Sequence, residues 1–331
     1  MNLPQTRTLL MVASGAVALL ALAFAAAITF GGPAPIAPLA SINAPFAKVD
    51  FSNVPAPSHY TARDGTAMTW LHYPATGVAA GAPSARRVVL VHGSSSRARS
   101  LHVLAQALAA AGLDVAALDM RGHGDSGPRG QAAYIGQLED DVEDFMRAVP
   151  HAGPSTLLGF SSGGGFVLRF AGSARQNLFD RYVLLSPFLH YSAPTNRPAS
   201  GWASVGLPRL VALMLLNRAG VTTWNDLPVL RFGLNDVARA SLTPSYSFTL
   251  MANFGPHQDY LGDIRNARRP MQLVAGRADE LFDATRFAAV FEDAGRPVPV
   301  TLVDGVNHMG LTLDAAAVQA VARICTGPAA P

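Results

Sequence analysis

The chain has 331 residues, 50% of them hydrophobic and 14% charged, with a net charge of +3. One large domain with a substantial core fits that length and composition better than two. The densest basic group downstream, Arg265, Arg268 and Arg269, reads as a solvated face and gives no reason to expect a nucleic-acid partner, while Cys325, the only cysteine, excludes an intrachain disulfide or a cysteine-based zinc site.

Residues 1–30 form the first unit. Within them, residues 9–30 run for 22 positions without a charge, after Arg7 and before any further charge at Lys48. At about 1.5 Å per residue such a helix is roughly 33 Å long, enough to cross a bilayer core. The positive flank predicts a cytoplasmic N-terminus, a membrane anchor, and the rest of the chain on the non-cytoplasmic side. Ala25, Ala26 and Ala27 also supply small residues suited to signal peptidase, so the alternative is a secreted or periplasmic product. The length of the apolar run favours the anchor. Residues 31–57 carry Pro33, Pro35, Pro38, Pro45, Pro55 and Pro57 among small residues, which reads as a semi-extended linker holding the next unit clear of the membrane.

That unit spans residues 58–326. Two short strands between residues 59 and 73 are expected to meet at Asp64 and Gly65, a pair suited to a tight hairpin turn. Residues 88–91 are a continuous apolar run, as for a strand buried on both faces, and end in His92-Gly93-Ser94-Ser95-Ser96. A helix over 101–111, a strand over 113–118, a helix over 137–149 and a strand over 155–158 follow. After a helix to about residue 171 and a strand at 182–185, the alternation stops from 187 to about 268, too long a gap for a plain loop. It resumes with a strand at 271–274, a helix near 285–294, a strand at 298–303 and a helix at 314–324. The expected fold class is α/β, a mostly parallel sheet with helices on both faces and an inserted, largely helical cap.

The stretch at 156–166, TLLGFSSGGGF, places Gly159-Phe160-Ser161-Ser162-Gly163 between a strand-like and a helix-like run. A serine hydroxyl attacks well only when it is held clear of the backbone beside a base and oxyanion donors. A sharp strand-to-helix turn does this, and small residues two before and two after the serine relieve the resulting clash. A flexible Gly/Ser loop is the alternative. Asp279 follows the strand at 271–274 and His308 follows the strand at 298–303, giving the order serine, acid, histidine at strand ends.

With these stretches in view, the sequence resembles the α/β-hydrolase superfamily, and within it the lysophospholipase and monoacylglycerol-lipase group with its serine aminopeptidase-like relatives. The resemblance is carried by LVHGS at 90–94, LDMRGHGDSG at 118–127, QLEDDVEDF at 137–145, GFSSG at 159–163, GRADELF at 276–282 and VNHMG at 306–310. It implies Ser161 as nucleophile, His308 as general base and then acid, Asp279 as the partner that orients His308, and the backbone N–H groups of Ser94 and Ser162 as oxyanion donors. The implied reaction is hydrolysis of carboxylic esters, with the membrane leader and apolar cap favouring lipophilic ones, and it needs no cofactor or metal. The pentapeptide departs from the commoner form with histidine before the serine and methionine after it.

Each assignment has a competitor. Ser162 lies beside Ser161 but lacks glycines at both flanking positions, and Asp283 is one turn beyond Asp279, where a helix-start charge is its simpler role. His92 and His123 read as loop-shaping residues and His257 as a surface or hydrogen-bonded histidine. His102, His123 and Asp125 lack the spacing of a metal site. In the cap, residues 201–216 hold an apolar helix whose simplest role is packing onto the body and whose alternative role is a lipophilic wall over the serine. A peptide or amide hydrolase would need acidic groups for a free amine, with Asp226, Asp236 and Asp259 as scattered candidates. A ligand-binding member without catalysis is the reading from another class.

Overall fold

The structure is a computed structural model that describes residues 3–77, 86–197 and 200–328. Residues 78–85 and 198–199 of the expected domain lie outside them, as do the side chain of Arg7 and the first two residues of the expected leader.

Helix α1 (Leu3–Phe30) is followed by the short α2 (Ala40–Asn43). Strands β1 (Pro57–Thr61) and β2 (Ala67–Tyr73) pair antiparallel around a turn in which Gly65 has φ 84° and Asp64 Oδ1 accepts from the Thr66 N–H. Next come β3 (Arg87–Val91), α3 (His102–Ala110), β4 (Asp114–Leu118), α4 (Gln137–Ala148), β5 (Ser155–Phe160), α5 (Ser162–Ala171) and β6 (Arg181–Leu185). The cap contributes β7 (Ala203–Val205), α6 (Leu207–Arg218), β8 (Pro228–Phe232), α7 (Asp236–Ser241), β9 (Ser245–Ser247), α8 (Phe248–Asn253) and α9 (Tyr260–Asn266). The body closes with β10 (Met271–Gly276), α10 (Phe287–Asp293), β11 (Val300–Val303), α11 (Gly310–Leu313) and α12 (Ala315–Thr326).

The main sheet has the order β1-β2-β4-β3-β5-β6-β10-β11; the six strands from β4 to β11 in that order run parallel, and β2 is antiparallel to β1 and to β4. The central strand β3 is apolar where it is sandwiched: Val88, Val89, Leu90 and Val91 are all fully buried. The chain leaves β3 toward β4 on one side and returns to β5 on the other. The loops after β3 and β5 therefore diverge at a switch point, where open α/β sheets hold their ligands.

The acidic run at 137–145 fastens the loop after β4 and the helix after β5. Asp141 takes a two-pronged bond from Arg121 at 2.8 and 2.7 Å, holding the loop after β4, and Glu139 pairs with Arg169 on α5. Because both carboxylates are buried beside guanidinium groups, they rigidify the frame more than surface pairs do.

The cap carries four helices and, with them, a three-stranded antiparallel sheet of β7, β8 and β9. One expectation needs correction: the segment after α1 is not a free spacer. Leu39 N–H donates to Gly233 O at 2.9 Å, and Asn43 Nδ2 donates to Leu39 O and Gly233 O at 2.7 and 2.8 Å. Ile42 is buried in the main core. The segment's regular structure is confined to short helical turns, of which α2 is one, yet Ile42 still buries itself in the core.

Helix α1 contains the one stretch among the described residues, Met11–Phe30, that is long and apolar enough to cross a membrane. Its C-terminal end is gripped by the cap. Arg209 on α6 donates through Nε to Ile28 O at 2.8 Å, through Nη2 to Thr29 O at 3.0 Å and through Nη1 to Pro228 O at 2.9 Å. The last carbonyls of a helix lack internal partners and carry its negative dipole end, which a guanidinium satisfies on both counts. Helix α6 packs Leu213 against Val229 and Phe248, while Leu207, Val211 and Leu215 stay exposed.

Candidate active site

Ser161 sits between β5 and α5 with φ 57° and ψ −121°, a region of backbone space costly for a side chain. The turn that imposes this conformation is held by Ser161 N–H on Leu185 O at 2.9 Å and by Ser161 O accepting from Phe188 N–H at 3.0 Å. The flanking glycines have no room for a side chain. A Cβ at Gly159 would collide with Gly163 O, and one at Gly163 with His92 O. The strained serine and its two glycines are thus one feature, and the flexible-loop alternative does not describe it.

The loops after β10 and β11 bring Asp279 and His308 together. His308 Nδ1 lies 2.8 Å from Asp279 Oδ2, with both side chains buried. Since a carboxylate only accepts, Nδ1 carries the proton and Nε2 is the basic nitrogen. Asp279 Oδ1 accepts from the N–H groups of Leu281 and Phe282, both at 2.9 Å. Burial pushes the Asp279 carboxyl up, but the charge and hydrogen bond of His308 and the Phe282 N–H outweigh it and leave the group below its ordinary value. The His308 backbone N–H donates to Glu280 Oε2 at 3.0 Å. Phe160 packs on the His308 ring at 4.7 Å between centroids, and Phe282 meets it edge-on at 5.3 Å. The departure at position 160 therefore places an apolar ring against the imidazole.

The loop after β3 completes the arrangement. A Cβ at Gly93 would lie 3.3 Å from Ser161 Cβ, so this backbone runs directly against the serine. Ser162 is the first residue of α5, where N–H groups have no intrahelical acceptor. The Ser95 N–H is already committed, donating to Tyr246 Oη at 2.5 Å, and Ser95 Oγ donates to Thr243 O at 2.7 Å. Trp202 Nε1 donates to Ser94 Oγ at 2.9 Å, which fixes the neighbouring residue from its side chain.

A buried relay supports this loop. His123 Nδ1 lies 3.0 Å from Arg121 O, and a carbonyl only accepts, so Nδ1 is the protonated nitrogen. His123 Nε2 is then the acceptor for the Tyr246 hydroxyl at 2.6 Å. Burial lowers His123 to about 4 and raises the Tyr246 phenol, so both are neutral near pH 7. His92 is arranged likewise, with Nδ1 at 2.8 Å from Gly93 O and Nε2 accepting from Met120 N–H at 3.2 Å. Both histidines shape loops.

Ser161 and His308 line one cavity of about 510 Å³, together with Gly93, Ser94, Phe160, Trp202 and apolar residues of the cap. Such a volume and lining suit a small organic ligand. Ser162 is not on its wall. Asp283 instead starts the turn at Thr285, with Oδ1 accepting from that residue's N–H, and pairs with Arg286 at 3.0 Å. His257 is a half-exposed partner of Asp263 at 2.7 Å. His102 bonds Tyr73 and Asp125 pairs with Arg97, so neither converges with His123. Helix α6 does not line the cavity; of residues 201–216 only Trp202 does. Glu280 and Tyr246 were not singled out from the sequence. The signal for Glu280 was its place beside Asp279, whereas Tyr246 gave none.

The sheet order, the strained serine after β5 and the carboxylate–imidazole pair beyond β10 and β11 define an α/β-hydrolase fold. Residues 82–313 match the family model described as serine aminopeptidase, S33, and the chain belongs to that family. A monoacylglycerol lipase from Mycolicibacterium smegmatis is 41% identical over 106 residues, which is 30% of this chain and 37% of that relative's length. Among solved structures, a soluble variant of monoglyceride lipase from Saccharomyces cerevisiae superposes with a TM-score of 0.62 at 20% identity, covering 83% of this chain and 94% of that one. A membrane phospholipase A superposes with a TM-score of 0.57 at 18% identity, covering 96% of both chains.

Proposed function

We propose that this protein hydrolyses carboxylic esters of lipophilic acids through an acyl-enzyme on Ser161. The observation that carries the reading is the meeting, on one cavity wall, of a serine at φ 57° and a histidine whose Nδ1 is engaged by a buried carboxylate. His308 Nε2 takes the Ser161 proton as Oγ attacks the ester carbonyl, and Asp279 stabilises the resulting imidazolium. The N–H groups of Ser94 and Ser162 receive the oxyanion. The imidazolium protonates the leaving alcohol, and a water activated by the same histidine then releases the acid and restores Ser161.

The amide-hydrolase alternative has less support. Among the described residues no carboxylate lines the cavity to hold a free amine, and Asp259 is spent capping α9 through the Gly262 N–H at 2.8 Å. The lipophilic preference is supported by the mostly apolar cavity and by the likeness to a monoacylglycerol lipase. Helix α1 is the proposed membrane anchor, with the domain on the non-cytoplasmic side, and the exposed Leu207, Val211 and Leu215 of α6 beside it suit a lipid surface. Mature protein beginning near Ile28 would replace the anchor with a secreted form.

The test is labelling by a serine-directed fluorophosphonate together with hydrolysis of a panel of p-nitrophenyl esters. Wild type should label and turn over, and Ser161→Ala should do neither. Full ester hydrolysis by Ser161→Ala would remove the proposed mechanism.

A further inference from the structure

Part of the cavity wall comes from outside both the hydrolase body and its cap. We propose that residues 39–51, the segment following α1, form the acyl-chain subsite, with Ile42, Phe46, Ala47 and Phe51 lining it beside Leu234 and Leu242 of the cap. The inference rests on the reading that Ser161 opens an ester, and it assigns that ester a straight hydrocarbon acyl chain.

Three observations support it. Of the five residues that this segment presents to the cavity, four are hydrocarbon and the fifth, Asn43, has its amide engaged with the cap, while its charged residues, Lys48 and Asp50, are exposed. A chain lying along such a wall gains roughly fourfold in binding for each methylene it buries.

The segment is also held in register with the cap. Asn43 Oδ1 accepts from the Asn235 N–H at 3.0 Å while its Nδ2 bonds Leu39 O and Gly233 O, and Asn235 in turn caps α7 through the Ala238 N–H at 2.8 Å. Gly233 must lack a side chain, because a Cβ there would lie 2.7 Å from Ala37 O. One half-buried amide thus ties this wall to the backbone on either side of Leu234, so both sides of the subsite keep a fixed spacing.

The far end is fastened separately. Phe51 lies 6.1 Å from the His102 ring, and the Arg99 guanidinium sits 4.6 Å above its face. A segment fixed at both ends and apolar toward the ligand behaves as a measuring wall rather than a tether.

Ala47 lines the cavity yet is exposed, so a larger side chain fits there without disturbing the core. The full-length protein in detergent is assayed against p-nitrophenyl esters from acetate to laurate, as wild type, Ala47→Trp and Phe46→Ala. In Ala47→Trp the ratio of kcat/KM for laurate to that for acetate should fall at least about tenfold, and in Phe46→Ala the preferred chain should lengthen. Profiles that superimpose on wild type would overturn the subsite.

Calorimetric binding of laurate to Ser161→Ala protein separates this inference from the function beneath it. If wild type hydrolyses no ester and takes up no fluorophosphonate, the hydrolase reading fails. Laurate binding weakened about tenfold by adding Ala47→Trp then still upholds the subsite, and binding indifferent to residue 47 overturns it.

Discussion

Replacing Tyr246 by Phe removes a single oxygen from the buried relay behind the proposed oxyanion loop. That oxygen accepts the Ser95 N–H at 2.5 Å and donates to His123 Nε2 at 2.6 Å, and the residue is 1% exposed. Its loss leaves two buried polar groups without partners, each costing about 1–3 kcal/mol, or about 2–6 kcal/mol together. At about 2–4 °C per kcal/mol for a domain somewhat smaller than this one, Tm should fall by roughly 5–20 °C. Ser95 holds φ 67° next to the proposed donor Ser94, so loosening it should also misplace that N–H. We expect kcat for a short ester to fall by about tenfold, less than the 10²–10³ that follows outright loss of an oxyanion donor. The assay pairs a circular-dichroism melt with steady-state rates at saturating ester. A Tm within about 2 °C of wild type with unaltered kcat would refute the relay as a support for the loop.

Asp279→Asn should lower kcat by about 10⁴, because an amide donor opposite Nδ1 favours the wrong tautomer of His308; near-normal turnover would move the acid to Asp283. Gly163→Ala places a methyl against the His92 carbonyl, and fluorophosphonate labelling should be lost although alanine favours a helix by about 1 kcal/mol. Because His123 is lowered from its ordinary 6.5 to about 4, the unfolded chain binds its proton first as pH falls. Stability supported by the neutral ring is full above pH 6.5 and declines between 6.5 and 4, by about 1.4 kcal/mol per pH unit at most. Urea unfolding at pH 7 and pH 5 should show that loss, and His123→Gln should reduce it.

What was legible in the sequence is what local spacing encodes. Ser161 announces itself because the turn that strains it demands glycines at fixed offsets, and Asp279 and His308 because parallel strands end in loops on one side of the sheet. The structure brings these three residues to one place. Tyr246 gave no such signal, since its partner Ser95 is 151 residues away and a lone tyrosine in an inserted cap carries no pattern. The wall at 39–51 was hidden by Pro45 and by the prolines on either side of it, which suppress helical and strand periodicity without preventing burial. Ile42, Phe46 and Phe51 were the available clue, recognisable only as unusually large apolar residues for a spacer.

Arg209 changes what α1 means mechanically. A guanidinium bonded to Ile28 O and Thr29 O joins the end of that helix to the cap as a rivet joins two plates. With α1 in a bilayer, the domain keeps one attitude toward the lipid, and the height of its cavity is set by where the helix ends, not by the length of residues 31–57. A cut after Ala27 would instead leave the new ammonium of Ile28 beside a cation that burial already disfavours. The two fates of the leader would then yield enzymes differing in the grip on the cap as well as in location.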